Sequence, residues 1–174
     1  MNYSAIKKCD VANGPGVRVS LFVSGCTHHC KGCFNAETWD FNFGNEFTKA
    51  QEDEIIELLG PQYISGFSLL GGEPFEPSNQ KVLVGLLKRI KETYPQKTIW
   101  CYTGYLLEDE LLQESRARCE VTDEMLSYID ILVDGEFKED LKDLRLRFRG
   151  SSNQRIMDLK ATLNSDEIIW WKDL

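Results

Sequence analysis

The sequence predicts an α/β fold in which helices cover a parallel sheet. Short β-branched or apolar segments alternate with amphipathic helical segments, and glycine-bearing turns directly follow several of the predicted strands. Alternation of this kind is typical of βα units with right-handed crossovers. A chain of 174 residues is long enough to bury a core of its own, so we expect residues 1–174 to form a single domain.

The first half of the chain contains one clear strand and one clear helix. Val17–Val23 alternates and is rich in β-branched residues, which predicts a strand. Phe41–Phe47 is predicted to be a loop. A helix should begin at Thr48, because Thr48 and Gln51 form a capping box and acidic residues follow in the first turn. Gly60-Pro61 should end this helix.

The second half repeats the pattern. Its longest helix is predicted over Pro77–Tyr94, where Val82, Leu86 and Ile90 recur at helical spacing and are expected in the core. The other predicted elements are strands at Phe67–Leu70, Thr98–Tyr102 and Ile131–Val133, helical turns at Leu107–Glu114 and Thr122–Tyr128, and a locally basic segment, Lys138–Lys160.

Composition limits the functions that the chain can have. The net charge of −8 disfavours general binding of nucleic acid, since most of the surface would repel phosphates. No uninterrupted apolar run approaches the roughly 18 residues of a membrane span, and the N-terminal segment lacks a signal-peptide core. We therefore expect a cytoplasmic protein without a membrane partner, in which cysteines stay reduced and a tight cysteine cluster indicates metal or redox chemistry.

Three of the six cysteines lie close together, as Cys26-x3-Cys30-x2-Cys33. This spacing can bring three thiolates around one small metal centre. A [4Fe–4S] cube held by three cysteines keeps one iron without a protein thiolate, and that iron is free to bind a substrate. The cysteine segment, Gly71–Pro74 and two further turns, Thr103–Tyr105 and Asp134-Gly135, follow predicted strands, whose ends share one face of a parallel sheet. The sequence therefore predicts one site at that face.

Other interpretations of the cysteines stay open. A structural zinc site could combine the three cysteines with His28 or His29, the only histidines in the chain. A histidine between the ligands would have difficulty reaching the same tetrahedral metal, so we expect both to be exposed loop residues. Three unliganded thiols are the simplest alternative. The other cysteines are too few for a second cluster, so one cluster is expected; they are Cys9, Cys101 and Cys119.

Two motifs resemble those of a known family. Cys26-x3-Cys30-x2-Cys33-Phe34 resembles the cysteine motif of the radical S-adenosylmethionine (SAM) enzymes, and Gly71-Gly72-Glu73-Pro74 resembles their SAM-binding GGEP element. Within this family the chain is similar to the activating proteins of anaerobic (class III) ribonucleotide reductases over nearly its whole length, with 161–174 expected to be a variable tail. The closer likeness lies in Asn13–Gly16, Phe22–Cys26, Cys33–Asn35, Thr38-Trp39, Phe47-Thr48, Thr103–Tyr105, Val133–Gly135 and Arg149–Arg155.

The resemblance implies a fold, two cofactors and a reaction. The fold would be a partial (β/α) barrel of the radical SAM type. Cys26, Cys30 and Cys33 would hold one [4Fe–4S] cluster, whose open iron chelates SAM. Reductive cleavage of SAM would give a 5′-deoxyadenosyl radical that takes hydrogen from a glycine of the anaerobic ribonucleoside-triphosphate reductase large subunit, leaving a glycyl radical. A flavodoxin- or ferredoxin-type protein would supply the electron.

The resemblance also implies roles for the residues that bind SAM. Gly32 and Phe34 flank the last cysteine and would pack on adenine. Gly71 and Gly72 would let backbone carbonyls approach the SAM ammonium, and Glu73 would accept a hydrogen bond from it. Without the cysteines, the same GGEP stretch would be interpreted as an ordinary turn from strand to helix.

Three further segments have two interpretations each. Asp134 would position the ribose or the peptide, or would be an ordinary turn aspartate. Tyr102–Tyr105 would line the adenosyl pocket, or would be half-buried aromatic packing. Arg149–Arg155 would be a docking or active-site loop for the reductase, or a solvated loop.

Three competing functions follow from these alternatives. The first is a radical SAM enzyme acting on a small molecule, such as a 7-carboxy-7-deazaguanine synthase. The second is a zinc module that binds a partner without catalysis. The third is an iron–sulfur protein that only transfers electrons.

Overall fold

The computed structural model describes residues 1–172, and one seven-stranded sheet runs through them in the order β3-β1-β2-β4-β5-β6-β7. The strands are β1 Asn2–Asp10, β2 Val17–Val23, β3 Asn45–Glu46, β4 Ile64–Gly71, β5 Thr98–Tyr102, β6 Ile131–Asp134 and β7 Arg155–Asp158. The α-helices are α1 Lys49–Leu59, α2 Pro77–Thr93, α3 Thr122–Tyr128 and α4 Leu159–Leu163. Single helical turns occupy Ala36–Trp39, Leu107–Leu111 and Glu139–Leu141.

The sheet is mixed, not wholly parallel. Its centre, β2, β4, β5 and β6, is parallel, and α1, α2 and α3 lie in the connections. β1 and β3 add antiparallel strands at one edge, and β7 adds one at the other. The α/β prediction is thus confirmed, but a wholly parallel sheet was wrong. A short connection such as 11–16 can join only antiparallel neighbours, because a parallel pair needs a long crossover.

Most predicted elements occur where the sequence placed them. Thr48 caps α1: its Oγ1 accepts from the Ala50 N–H at 3.3 Å, and Gln51 Oε1 accepts from the Thr48 N–H at 3.1 Å. The predicted loop 41–47 contains the two-residue strand β3, and the turn at Leu107–Leu111 is shorter than predicted. In α2 the core prediction is wrong for Val82, which is 36% exposed.

The two faces of the sheet differ. Helices α1, α2 and α3 cover one face with the main core, which contains Leu83, Leu86, Leu87 and Ile90 of α2. The opposite face carries a smaller cluster centred on Trp100. Trp171, in the expected variable tail, packs edge-on against Trp100 with ring centroids 5.0 Å apart. The tail therefore belongs to the folded structure as far as residue 172, and residues 173–174 lie outside the described residues.

Candidate functional site

A cavity of about 410 Å³ lies at the carboxyl ends of the four parallel strands. The three motif cysteines, Gly71–Glu73, Tyr102–Gly104 and Gly135 line it together with part of the loop 137–150. The segments that follow the predicted strands therefore meet at one cavity, and its role as a binding site stays a prediction. Parallel strands point their carboxyl ends in one direction, so segments that are distant in sequence meet there.

The cysteine loop is fixed by backbone hydrogen bonds to the turn that follows it. The Gly25 N–H donates to the Thr38 carbonyl at 2.8 Å, and the Cys26 N–H donates to the Trp39 carbonyl at 3.2 Å. Within the loop, the Cys33 N–H donates to the Cys30 carbonyl at 3.1 Å. These bonds hold the three sulfur-bearing residues at the cavity wall.

The environment of the cysteines fits an iron–sulfur cluster. Cys26 is buried, and the nearby backbone N–H groups of His28 and His29 favour its thiolate form. The Asn35 N–H lies 3.4 Å from Cys33 Sγ. Backbone donors of this kind stabilise thiolates and tune the potential of a bound cluster. Burial raises the pKa of the Cys26 thiol to about 12, so its deprotonated form needs compensating positive charge, which a bound metal centre would supply.

The fit rests on the shared cavity and these sulfur donors. Among residues 1–172, no three His, Cys, Asp or Glu side chains gather closely enough to hold a single metal ion. All six cysteines are free thiols. Cys101 is fully buried in β5, and Cys9 is exposed.

Glu73 is the centre of a hydrogen-bond network that joins the strand ends. Its side chain is 1% exposed. Oε1 accepts from the Phe75 N–H and the Thr103 hydroxyl, both at 2.8 Å. Oε2 accepts from the Gly104 N–H at 2.7 Å and contacts His28 Nε2 at 3.0 Å. A carboxylate has about four acceptor positions, and protein groups use all four here. The carboxylate thus holds the GGEP turn to the next strand end.

His28 continues this network and corrects an expectation. Its side chain is 3% exposed, so the expectation of an exposed loop residue is wrong. Two carboxylates enclose the imidazole. Nδ1 lies 2.8 Å from Glu136 Oε1, and Nε2 on the opposite side of the ring contacts Glu73. Burial would lower the pKa of His28, but the hydrogen bonds and charges of Glu73 and Glu136 outweigh it and raise that pKa. Both ring nitrogens are occupied, which leaves neither for zinc. His29 is exposed, as expected, and stacks on Trp39.

The two glycines of the GGEP turn are required by backbone packing. Gly71 has a φ of +120°, and a Cβ atom at Gly72 would lie 2.6 Å from the Gly25 carbonyl oxygen. The Gly72 N–H donates to the Val23 carbonyl at 2.7 Å, and the Glu73 N–H donates to the Gly25 carbonyl at 2.8 Å. The turn is therefore joined directly to the base of the cysteine loop.

Asn79 of α2 reinforces the same junction, although the sequence analysis did not identify it. Its Nδ2 donates to the carbonyls of Ser24 and Glu73, both at 3.0 Å, and the residue is 1% exposed. The sequence feature that could have identified Asn79 is a polar residue in the first turn of a helix that packs on the core. Such residues are rarely buried unless their amide groups are satisfied.

Asp134 lies beside the cavity, not in its wall. The residue is fully buried, and its carboxylate accepts from the Leu107 N–H at 2.9 Å and from Arg155 Nε at 2.8 Å. Arg155 also binds Glu108 through contacts of 2.6 and 3.0 Å. These bonds give Asp134 a structural task that the sequence did not reveal, since Arg155 is 21 positions away.

The segment Arg149–Arg155 is fixed by hydrogen bonds, and part of it lines the cavity. The Gln154 carbonyl accepts from Arg149 Nη1 at 2.6 Å, and Gln154 Oε1 accepts from the Gly150 N–H at 2.8 Å. Asn153 Nδ2 donates to the Glu136 carbonyl at 2.8 Å. Arg149, Gly150 and Gln154 line the cavity.

The outer part of the cavity carries exposed apolar side chains. Phe34 is 83% exposed and Leu144 is 90% exposed, and both line the cavity. Gly32 lies nearby, where a Cβ atom would come within 2.8 Å of Glu139 Oε1. The site is thus polar and rich in hydrogen bonds at the strand ends, whereas its rim is apolar.

Comparison with known proteins places this site in a family. Residues 12–157 match a family model described as a 4Fe-4S single cluster domain. Anaerobic ribonucleoside-triphosphate reductase-activating proteins align over most of the chain. The relative from Escherichia coli K12 is 48% identical over 162 residues, which cover 92% of this chain and the whole of that protein. The chain belongs to the family of anaerobic ribonucleoside-triphosphate reductase-activating proteins.

Two more distant relatives support the same assignment. The protein from Vibrio cholerae serotype O1 is 44% identical over 158 residues, covering 90% of this chain and 97% of that protein. The protein from Enterobacteria phage T4 is 41% identical over 156 residues, covering 90% and 93%. The similarity to the activating proteins of anaerobic ribonucleotide reductases, inferred from the sequence, is thereby confirmed. Across residues 1–172, no helix has the length and apolar character needed to cross a membrane.

Proposed function

We propose that this protein activates an anaerobic ribonucleotide reductase by reductive cleavage of SAM at a [4Fe–4S] cluster, with formation of a glycyl radical on the reductase. The observation that carries the proposal is the meeting of Cys26, Cys30 and Cys33 with Gly71 and Gly72 in one cavity. The names of the relatives and the 4Fe-4S domain support it. When bound, the cluster supplies the electron that converts SAM to methionine and a 5′-deoxyadenosyl radical.

The chain's own residues would bind and orient the two cofactors. Cys26, Cys30 and Cys33 are the proposed ligands of the cluster. The carbonyls of Gly71 and Gly72 are proposed to receive the SAM ammonium. Glu73 was expected to accept from that ammonium, but its oxygens are occupied by protein donors. We therefore assign Glu73 a positioning role, in which it holds the glycine turn against the cysteine loop.

The exposed rim residues would complete the pocket when it is filled. Phe34 is proposed to pack on the adenine, with Gly32 allowing the loop to approach, because an aromatic ring as exposed as Phe34 gains from being covered. Asp134 is proposed to act on the ribose or peptide only indirectly, by fixing Arg155 and the turn before Gly135. These roles exclude water from the reacting atoms.

The remaining expectations stay predictions. The glycine segment of the reductase large subunit is proposed to enter past Leu144, and a flavodoxin- or ferredoxin-type protein to deliver the electron. A partial barrel of the radical SAM type, a single domain over residues 1–174 and a cytoplasmic location belong to the same proposal. The open sheet, with its parallel centre and its cavity at the strand ends, is compatible with such a partial barrel.

The proposal is tested by incubating the anaerobically reconstituted protein with SAM, a reductant and the reductase. We expect a glycyl doublet in the electron paramagnetic resonance spectrum of the reductase, and methionine and 5′-deoxyadenosine in solution. Cys30→Ala should give neither signal, whereas Cys101→Ala, at a buried position outside the motif, should give both. Intact SAM with the iron-loaded wild-type protein would refute the proposed chemistry.

A further inference from the structure

Tyr102 has an unusual position at the floor of the cavity. It is the last residue of β5 and lies on the same face of the sheet as Trp100, opposite the helices. It lines the cavity beside Leu70 of the adjacent strand. Its hydroxyl oxygen is buried and, within residues 1–172, has no hydrogen-bond partner.

A buried hydroxyl without a partner needs a physical explanation. Leaving such a group unsatisfied destabilises the folded state, and a phenylalanine would fill the same space without this penalty. Of the other described residues with an unpaired buried polar atom, Ser24, Tyr105 and Asn153 do not line the cavity. Arg149 does, but it is already engaged through Nη1. Tyr102 thus combines an unused donor with direct access to the ligand space.

The electrostatic surroundings favour an acceptor as the missing partner. Burial raises the pKa of the Tyr102 hydroxyl well above its usual value, so the group stays protonated and can donate. The Arg18 guanidinium is fully buried on the same face and acts electrostatically on Tyr102. Burial lowers the pKa of Arg18 only to about 10, so it remains charged at neutral pH.

The charge of Arg18 is not neutralised by its hydrogen bonds. All five of these go to hydroxyl or carbonyl oxygens, those of Pro15, Phe67, Ser68 and Thr98. The carboxylates of Asp10 and Asp130 act on the guanidinium from a distance, and Asp10 also acts on Tyr102, so they offset part of this positive charge. A protonated hydroxyl that has no partner can donate one hydrogen bond, and an oxygen that carries negative charge or a strong dipole accepts it best.

We infer that the Tyr102 hydroxyl is a positioning group, which donates a hydrogen bond to a carboxylate or carbonyl oxygen of the molecule that fills the cavity. This inference rests on the proposed function, and two molecules in that function carry such an oxygen. One is SAM, through its carboxylate. The other is the glycine-bearing segment of the reductase, through its main-chain carbonyls. The hydrogen bond orders this oxygen before the reaction, and Tyr102 itself exchanges no proton or electron.

The test removes the hydroxyl and keeps the ring. Tyr102→Phe is compared with wild type and with Tyr63→Phe, a control at a tyrosine that is 65% exposed and does not line this cavity. The thermal unfolding of each cluster-free protein is measured first. Because the Tyr102 hydroxyl has no protein partner, Tyr102→Phe should be at least as stable as wild type. A clear loss of stability would show a structural hydrogen bond and overturn the inference.

Two binding measurements then identify the source of the oxygen. The dissociation constant for SAM is measured on the reconstituted protein without reductant, and the reductase concentration that gives half-maximal glycyl-radical formation is measured separately. Loss of one such hydrogen bond should raise the affected value, either the SAM dissociation constant or the half-maximal reductase concentration, about tenfold. Weaker SAM binding by Tyr102→Phe identifies the SAM carboxylate, and a higher reductase requirement with unchanged SAM affinity identifies the peptide. If neither value changes relative to Tyr63→Phe, the inference is wrong, whereas failure of wild type to bind SAM refutes the proposed function.

Discussion

Replacement of Glu73 by glutamine should destabilise the junction between the GGEP turn and the following strand end. Whichever way the new amide is oriented, its NH2 group replaces one of the two acceptor oxygens. In one orientation it faces the Gly104 N–H, and in the other it faces the Phe75 N–H, which now donate at 2.7 and 2.8 Å. Each orientation therefore leaves one backbone donor without an acceptor. His28 also loses a charged partner.

The expected loss is about 2 kcal/mol, the usual penalty for one buried unsatisfied donor. For a protein of this size, this corresponds to a decrease of about 4–8 °C in the midpoint of thermal unfolding. The assay is thermal unfolding of the cluster-free protein under anaerobic, reducing conditions, so that loss of iron does not enter the measurement. Iron content after reconstitution is then measured separately.

Glu76→Gln provides the matched control, because Glu76 lies in the same turn and is also buried. Both of its hydrogen bonds, from the Thr27 N–H at 2.8 Å and the Thr27 hydroxyl at 2.6 Å, go to Oε1. A glutamine carbonyl can keep both bonds and place its NH2 group at the position of Oε2. We therefore expect a loss below about 1 kcal/mol. Equal stability of Glu73→Gln and wild type, or equal damage by the two substitutions, would refute this account.

Three further predictions concern the cluster, the glycine turn and acid stability. Cys30→Ala should abolish iron binding, whereas Cys9→Ser, at an exposed thiol outside the cavity, should bind as much iron as wild type in a colorimetric iron assay. Gly72→Ala should reduce both iron and SAM binding, because the new Cβ atom would clash with the Gly25 carbonyl beside Cys26. Normal iron content with weakened SAM binding would contradict this clash and would favour direct obstruction of SAM. Burial would raise the pKa of Asp130, but hydrogen bonds from Lys160, Lys91 and the Ile99 N–H outweigh it and lower that pKa below 3.8. This carboxylate therefore stabilises the fold at pH values above its pKa in the unfolded chain. The stabilisation is lost as the pH falls through its pKa in the folded protein. Asp130→Asn should therefore lose about 2 kcal/mol at pH 7, and urea titrations from pH 7 to 3 should show the difference from wild type shrinking below about pH 4; a difference independent of pH would refute the assignment.

The parts of the site that the sequence predicted share a local cause. Cysteine spacing and strand-ending glycines are set by chemistry within a few residues, and they led to Cys26, Cys30, Cys33 and Gly71-Gly72. Strand β1 was not predicted, because its residues are mostly half-buried or exposed and carry no strong apolar pattern. Its place in the sheet depends on pairing with β2, which a local pattern does not report.

The hydrogen-bond partners of Glu73, His28 and Asp134 could not be predicted from the sequence. Glu73 and His28 are 45 positions apart, and Asp134 and Arg155 are 21 apart. A sequence motif specifies which residue type stands at one position. The group that hydrogen-bonds with that residue belongs to a segment at the end of another strand, far away in the sequence. The same limit applies to Tyr102, whose unused hydroxyl becomes visible only when the surrounding groups are in place.

The amino-acid sequence alone determined the α/β class, the family and the residues proposed to hold the cluster, because these depend on short-range periodicity and on ligand spacing. Only the tertiary structure decided that the sheet is mixed, that a buried histidine joins two carboxylates, and which polar groups remain available to a ligand. Hydrogen-bonding capacity is finite, and its distribution among donors and acceptors is settled when distant strand ends pack against one another.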